Sequence, residues 1–254
     1  MEKKKGLSVR MVENYENITN YKLPKRTFTI IRLDGRSFSK FCKRFKKPFD
    51  EDFVRIMNES AKYVAENIQG CKFGFVQSDE ITLVLTDFDE LKTTAWFDGR
   101  IQKICSISAS LSSTKFLQML LDYEFSKIND EELSISQIRK LITNQKLIEF
   151  DSRTYTVSQR DEVLNTVLWR QQDCTRNSVL MITQSMFSHN ELKNKNITQQ
   201  QDMIHNKGDN WNNYPIGLKR GRIIVKKDGK WIIDDSPIFN KSWEFFDDII
   251  PNYK

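Results

Sequence analysis

Three carboxylates stand where a β-strand or its turn would ordinarily carry an apolar or small residue: Asp34, Asp79 and Glu80. Asp34 ends the segment 27–36 (Thr-Phe-Thr-Ile-Ile-Arg-Leu-Asp-Gly-Arg), whose β-branched and aromatic content reads as a strand. Gly35 follows directly and lets the backbone approach a ligand closely. Asp79 and Glu80 separate two apolar runs within 73–85, as at the tip of a hairpin. If the two strands are neighbours, Asp34 and Asp79 converge on one edge of a sheet. Paired carboxylates repel unless a cation lies between them. Oxygen-only ligands suit Mg²⁺, which completes its shell with water and phosphates. The chemistry this suggests is metal-dependent phosphoryl or nucleotidyl transfer. A plainer reading stands beside it, in which Asp34-Gly35 is only a turn and Asp79-Glu80 a solvated hairpin tip.

The elements that must position these residues follow from period and capping. Asp50 reads as an N-cap, with Glu51 and Asp52 in the first turn and Gly70 after the last. Phe53, Ile56, Met57, Val64 and Ile68 keep helical spacing, so strand, helix and strand form a β-α-β unit. Before it, Phe38, Phe41 and Phe45 alternate with lysines and arginines. The rings are expected in the core and the cations are candidates for phosphate. A second helix is expected from near Thr93 towards Leu121, where Arg100 and Lys103 share a face that by itself reads as a solvated basic edge. Residues 122–147 look like a polar insertion or arm, and a strand is expected over 147–157. From Ser158 a long helix carries Arg170, Asp173 or Cys174, and Asn177 on one face; if buried, these must satisfy one another or a ligand. After a loop at 207–215, a hairpin turns at Asp228-Gly229, and a terminal helix with Trp243, Phe246 and Ile250 should pack back. The division expected is a catalytic region, 1–125, and a C-terminal region, 126–254, integrated in one domain.

Bulk properties narrow the partners. The chain has 254 residues, a net charge of +6 and a pI near 9.0, which favours a polyanion without demanding one. Four dispersed cysteines, no CxxC pair and two histidines argue against zinc and disulfides. No G-x-G-x-x-G or Walker sequence occurs, so dinucleotide and P-loop classes fall away. The basic N-terminus lacks a following apolar run, so a cytoplasmic protein with no membrane partner is expected.

These pieces, in this order, resemble the tRNA-His guanylyltransferase family, enzymes that add nucleotides in the 3′→5′ direction. The resemblance rests on Arg32-Leu33-Asp34-Gly35-Arg36-x-Phe38, Lys47-Pro48, Gln77-Ser78-Asp79-Glu80 and Phe150-Asp151-x-Arg153. Trp169-Arg170-Gln171-x-Asp173-Cys174-x-x-Asn177 and Asn212-Asn213 extend it to most of the chain. It implies an α/β (α+β) fold: a polymerase palm-like, ferredoxin-like antiparallel sheet with helices on one face, plus helical and β-hairpin C-terminal elements. It implies two Mg²⁺ ions on Asp34, Asp79 and the Gly35 carbonyl, with Glu80 in support. Lys47, Ser78, Arg100 and Lys103 match nucleotide-binding positions, with Gly35, Arg36, Ser37 and Phe38 beside them. Arg153, Arg170, Asn177, Lys219, Arg220 and Arg222 are the implied tRNA contacts. In the implied chemistry ATP adenylylates a 5′-monophosphate on tRNA, and the 3′-hydroxyl of GTP or another NTP then attacks it. A homotetramer is implied as well.

One departure matters. Members that modify tRNA-His carry His-Ile-Asn-Asn-Leu-Tyr-Asn after Asp-Cys, whereas this chain reads Thr175-Arg176-Asn177-Ser178-Val179-Leu180-Met181. The pattern is similar to bacterial and archaeal guanylyltransferase-like proteins, which fill in truncated tRNA 5′ ends against the opposite strand. The alternatives are addition of G(−1) to tRNA-His and a tRNA-binding protein without chemistry; retention of both Asp34 and Asp79 speaks against the latter.

Overall fold

Strand β1 (Phe28–Gly35) is apolar towards both sides until its last residues, so it needs cover on both faces. The computed structural model describes residues 6–127, 136 and 148–251. In it β1 lies inside a six-stranded sheet with β2 (Cys71–Gln77), β3 (Glu80–Leu85), β4 (Phe150–Val157), β5 (Arg222–Lys227) and β6 (Lys230–Asp235). The order is β4-β1-β3-β2-β5-β6, antiparallel at every pairing. Three strands come from the first half of the chain and three from the second.

Alternation along the strands sends Ile31, Leu33, Val76, Ile81 and Leu83 to one face, under α3 (Glu51–Glu66) and α4 (Ile101–Ser126). There Phe38, on the single turn α2 (Phe38–Phe41), meets Phe41, Phe53, Phe116 and Phe150 with ring centroids 5.1–6.4 Å apart. Phe28, Ile30, Phe73, Phe75 and Val84 point the other way. They are covered by Val163, Leu164 and Val167 of α5 (Arg160–Met186) and by Phe239, Phe246 and Ile250. The antiparallel palm-like sheet is as expected. The second face of the central strands is equally apolar, and the C-terminal helix α5 closes it.

Capping sets α3 as the sequence indicates, with the Asp50 carboxylate accepting from the Phe53 amide at 2.9 Å. Helix α4 starts at Ile101 and not near Thr93, since Phe97 and Asp98 adopt left-handed backbone (φ 50° and 54°) that no helix propagates through. It runs to Ser126, so the start of the expected arm is helical; 128–135 and 137–147 lie outside the described residues. The β5–β6 hairpin turns at Asp228-Gly229 as expected, both residues at positive φ. The C-terminal segment packs on the core as expected, but as 3₁₀ turns (Phe239–Lys241, Trp243–Phe246) and not as an α-helix. Near the N-terminus α1 (Leu7–Asn14) lies exposed. Among the described residues, no helix is long and apolar enough to cross a membrane.

Candidate active site at one edge of the sheet

The pairing register brings the acidic residues together. Asp34, next to last in β1, faces Glu80 at the start of β3 and Asp151 near the start of β4. The Gly35 amide donates to the Asp79 carbonyl at 3.1 Å, tying the end of β1 to the β2–β3 turn. That turn is Ser78-Asp79, with Ser78 held at φ 45° and its hydroxyl bonded to the Asp79 carboxylate. A Cβ on Gly35 would stand 2.4 Å from the Phe38 ring, so glycine alone fits this corner. Burial first, and the Asp34 charge among the rest, push Asp79 up to about 6. Burial and Asp151 raise Asp34 above the ordinary carboxylate range. Carboxylates are thus gathered at one corner where burial outweighs the nearby Arg32, Arg153 and Arg170, so a cation there would be favoured. Among the described residues, no three His, Cys, Asp or Glu side chains are arranged to enclose a metal. Two carboxylates and a carbonyl leave the other positions to water and phosphate, the manner in which Mg²⁺ is commonly held.

Behind this corner Arg170, Asp173 and Asn177 of α5 engage one another and Glu80, although Arg170 Nε makes no hydrogen bond. Arg170 is buried, with Nη2 2.9 Å from Asp173 and Nε 3.4 Å from Glu80. Gln77 donates its amide to Glu80 at 3.0 Å, and Asn177 donates to Asp173 at 3.2 Å. Arg32, which shares Asp34's face of β1, lies 5.5 Å from the centroid of the Trp169 ring, which is 51 % exposed.

Two adjoining cavities open beside Ser78. One, about 530 Å³, is lined by Cys42, Lys46, Lys47, Ser78, Met181 and Gln184 among others. The other, about 490 Å³, is mostly apolar and includes Phe49, Phe53, Gln77, Asn177, Met181 and Leu218. Asp50 accepts from the Lys46 amide at 2.8 Å while capping α3, which pins the lysine loop to the cavity rim.

The structure therefore unites Asp34, Gly35, Asp79, Glu80, Ser78 and Lys47, with Asn177 in a cavity wall. Arg36 and Ser37 are exposed nearby, Arg36 paired with Glu149 at 2.8 Å. Phe38, expected beside nucleotide, is instead a buried core ring. Arg100 and Lys103 are not brought here. Gly99 bonds to Leu23 near Leu85, at the far end of the sheet, whereas Ser113 of α4 reaches Phe150 at the acidic end. Ser108, five residues past Lys103, already meets Ser152, the neighbour of Asp151, at 2.8 Å.

The residues expected to grip RNA differ in how far they are engaged within the fold. Lys219 is buried, with Nζ donating to the Asn212 carbonyl at 2.6 Å. Arg222 is buried too, donating to Asn58 at 2.6 Å and to the Gly217 carbonyl at 3.0 Å; burial pulls it down to about 10. Arg170 faces inward for the reason given above. Arg220 lies over Trp211 at 5.3 Å. Only Arg153 of this set is largely exposed, with a loose 3.5 Å contact to Asp151. Sequence reasoning missed Asp151 and Arg32 as members of the corner. The period-2 alternation of β4, which sets Asp151 and Arg153 on one face, was the available signal.

An antiparallel sheet with paired carboxylates at one edge, beside a lysine-rimmed cavity, defines a palm-type nucleotidyltransferase. Residues 9–158 match the family described as tRNAHis guanylyltransferase, and the chain belongs to that family. A bacterial tRNA(His) guanylyltransferase-like protein in complex with ATP has 36 % identity and a TM-score of 0.83, covering 96 % of this chain and 99 % of that one. Another such structure, in complex with GTP, has 34 % identity and a TM-score of 0.73, covering 94 % and 97 %. The tRNA(His) guanylyltransferase of Debaryomyces hansenii is 27 % identical over 221 residues, 82 % of this chain and 76 % of that protein.

Proposed function

We propose that this chain is a templated 3′→5′ nucleotidyltransferase that rebuilds truncated tRNA 5′ ends after ATP-dependent adenylylation of the 5′-monophosphate. The observation that carries the reading is the convergence of Asp34 and Asp79 through the Gly35–Asp79 backbone bond. Two Mg²⁺ ions on Asp34, Asp79 and the Gly35 carbonyl would supply charge neutralisation at the phosphates. Lys47 and the strained Ser78 turn then hold the triphosphate. Glu80 is engaged by Arg170 and Gln77 and so acts as support.

Specificity for the added base comes from pairing with the opposite strand, so the protein grips backbone and shape, with Arg153 and Arg36 as the exposed cations beside the site. Thr175 spends its hydroxyl on the Gln171 carbonyl at 2.9 Å and offers no imidazole, which favours truncated tRNAs over dedicated tRNA-His reading. The homotetramer belongs to the same reading. Leu7, Ile18 and Tyr21 are each about two-thirds exposed near the N-terminus, an apolar patch suited to a second copy. The test is label transfer from [α-³²P]ATP to a 5′-monophosphorylated RNA. Asp34→Asn and Asp79→Asn should each lower it by about 10²-fold or more; transfer at the wild-type rate in both would refute the assignment.

A further inference from the structure

The mostly apolar cavity between Phe49, Phe53 and Leu218 carries a polar pattern fixed from behind. Gln77 and Asn177 each contribute to its wall, and each spends its amide nitrogen on a carboxylate, Glu80 and Asp173 respectively. A carboxylate accepts and does not donate, so the orientation of both amides is determined by the network and not by choice. Both carboxylates are in turn held by one buried guanidinium, that of Arg170. The consequence is that Gln77 Oε1 and Asn177 Oδ1 receive no hydrogen bond from the described residues, and neither is among the sealed polar atoms of the interior. Other polar groups in the wall are engaged. Asp50 accepts from two amides, Ser178 bonds Thr175, Lys219 and Trp211, and Arg222 bonds Asn58 and Gly217. The cavity therefore presents acceptors to whatever enters it, within otherwise apolar walls.

We propose that this cavity is a purine subsite in which the carbonyl oxygens of Gln77 and Asn177 accept from an exocyclic amino group of the base. The proposal rests on the nucleotidyltransferase reading and adds the specificity of one of its nucleotide sites. Phe49, Phe53 and Leu218 supply apolar surface for the ring, and Ser78 connects the cavity to the one that carries Lys47, where phosphates would extend. Two bases offer this chemistry: adenine through N6, guanine through N2. A purine without the amino group leaves buried acceptors unpaired, and sites built to hydrogen-bond a substrate group discriminate strongly against its absence. Arg170 is a positioning residue here, because it acts by fixing the two carboxylates that fix the amides.

The test needs no mutation at first. Binding of GTP against inosine triphosphate, and of ATP against purine riboside triphosphate, is measured with Mg²⁺ by calorimetry, with UTP as the non-purine control. The amino-bearing member of at least one pair should bind about ten-fold more tightly than its partner, and the pair that does so tells guanine from adenine. Asn177→Leu and Gln77→Met should each shrink that ratio to about two-fold while leaving the amino-free analogue nearly unaffected. Ratios near one for both pairs in the wild-type protein would overturn the proposal even if every triphosphate bound, as would a ratio that survived both substitutions. Failure of all triphosphates to bind would instead overturn the nucleotide-site reading on which it rests.

Discussion

At the residue scale the site is defined by carboxylates whose burial opposes their ionisation. Asp79 carries a proton up to about pH 6 because burial and a neighbouring carboxylate oppose its ionisation. For an acid whose folded value is raised, the sign is fixed: its contribution to stability is fully present below the unfolded value of 3.8 and is lost as pH rises through about 6. At neutral pH a cation on this corner would offset the loss. Mg²⁺ should therefore raise the melting temperature more at pH 7.5 than at pH 5, as differential scanning fluorimetry would read. An equal effect at both values would place the ion elsewhere. Lys47 stands at the rim of the cavity with its loop pinned by Asp50, so Lys47→Ala should raise the KM for the incoming triphosphate about ten-fold. A fall in kcat at unchanged KM would argue against that role.

At the scale of elements, the acidic corner depends on strands that cannot slip. A one-residue shift between β1 and β3 would turn Asp34 and Glu80 to the opposite face, and the interlocked rings of Phe38, Phe53, Phe116 and Phe150 oppose it. Phe116→Ala should cost about 3–5 kcal/mol in a urea titration. Asn58→Ala removes one of the two acceptors of buried Arg222 and should cost about 1–3 kcal/mol. What could be read in advance follows from the same physics. Asp34, Asp79 and the capping residue Asp50 were legible because each interrupts a local period or occupies a capping position. The burial of Lys219 and Arg222 was not legible, because their partners, Asn212 in a 3₁₀ turn, Gly217 in a short helix and Asn58 on α3, are defined by tertiary packing. The start of α4 was misplaced for a local reason, since nothing in the types of Phe97 and Asp98 announces two consecutive left-handed residues.

At the scale of the molecule, the proposed assembly can be tested directly, with the exposed N-terminal residues Leu7, Ile18 and Tyr21 as its candidate contact surface. If chains complete one another's sites, a mixture of Asp79→Ala and Lys103→Ala proteins should regain a substantial part of the activity that each lacks alone. No gain on mixing, in proteins shown to co-assemble, would confine the site to one chain. RNA binding should weaken steeply with salt, in line with a net charge of +6 and backbone contacts.

The most direct measurement offers the protein a 5′-monophosphorylated tRNA lacking its first nucleotide, with ATP, Mg²⁺ and labelled GTP, beside full-length tRNA-His and the Asp79→Ala protein. The expected result is label on the truncated tRNA when the opposite base is cytosine, with the variant reduced by about 10²-fold or more. Label confined to tRNA-His, or equal extension by Asp79→Ala, would contradict it.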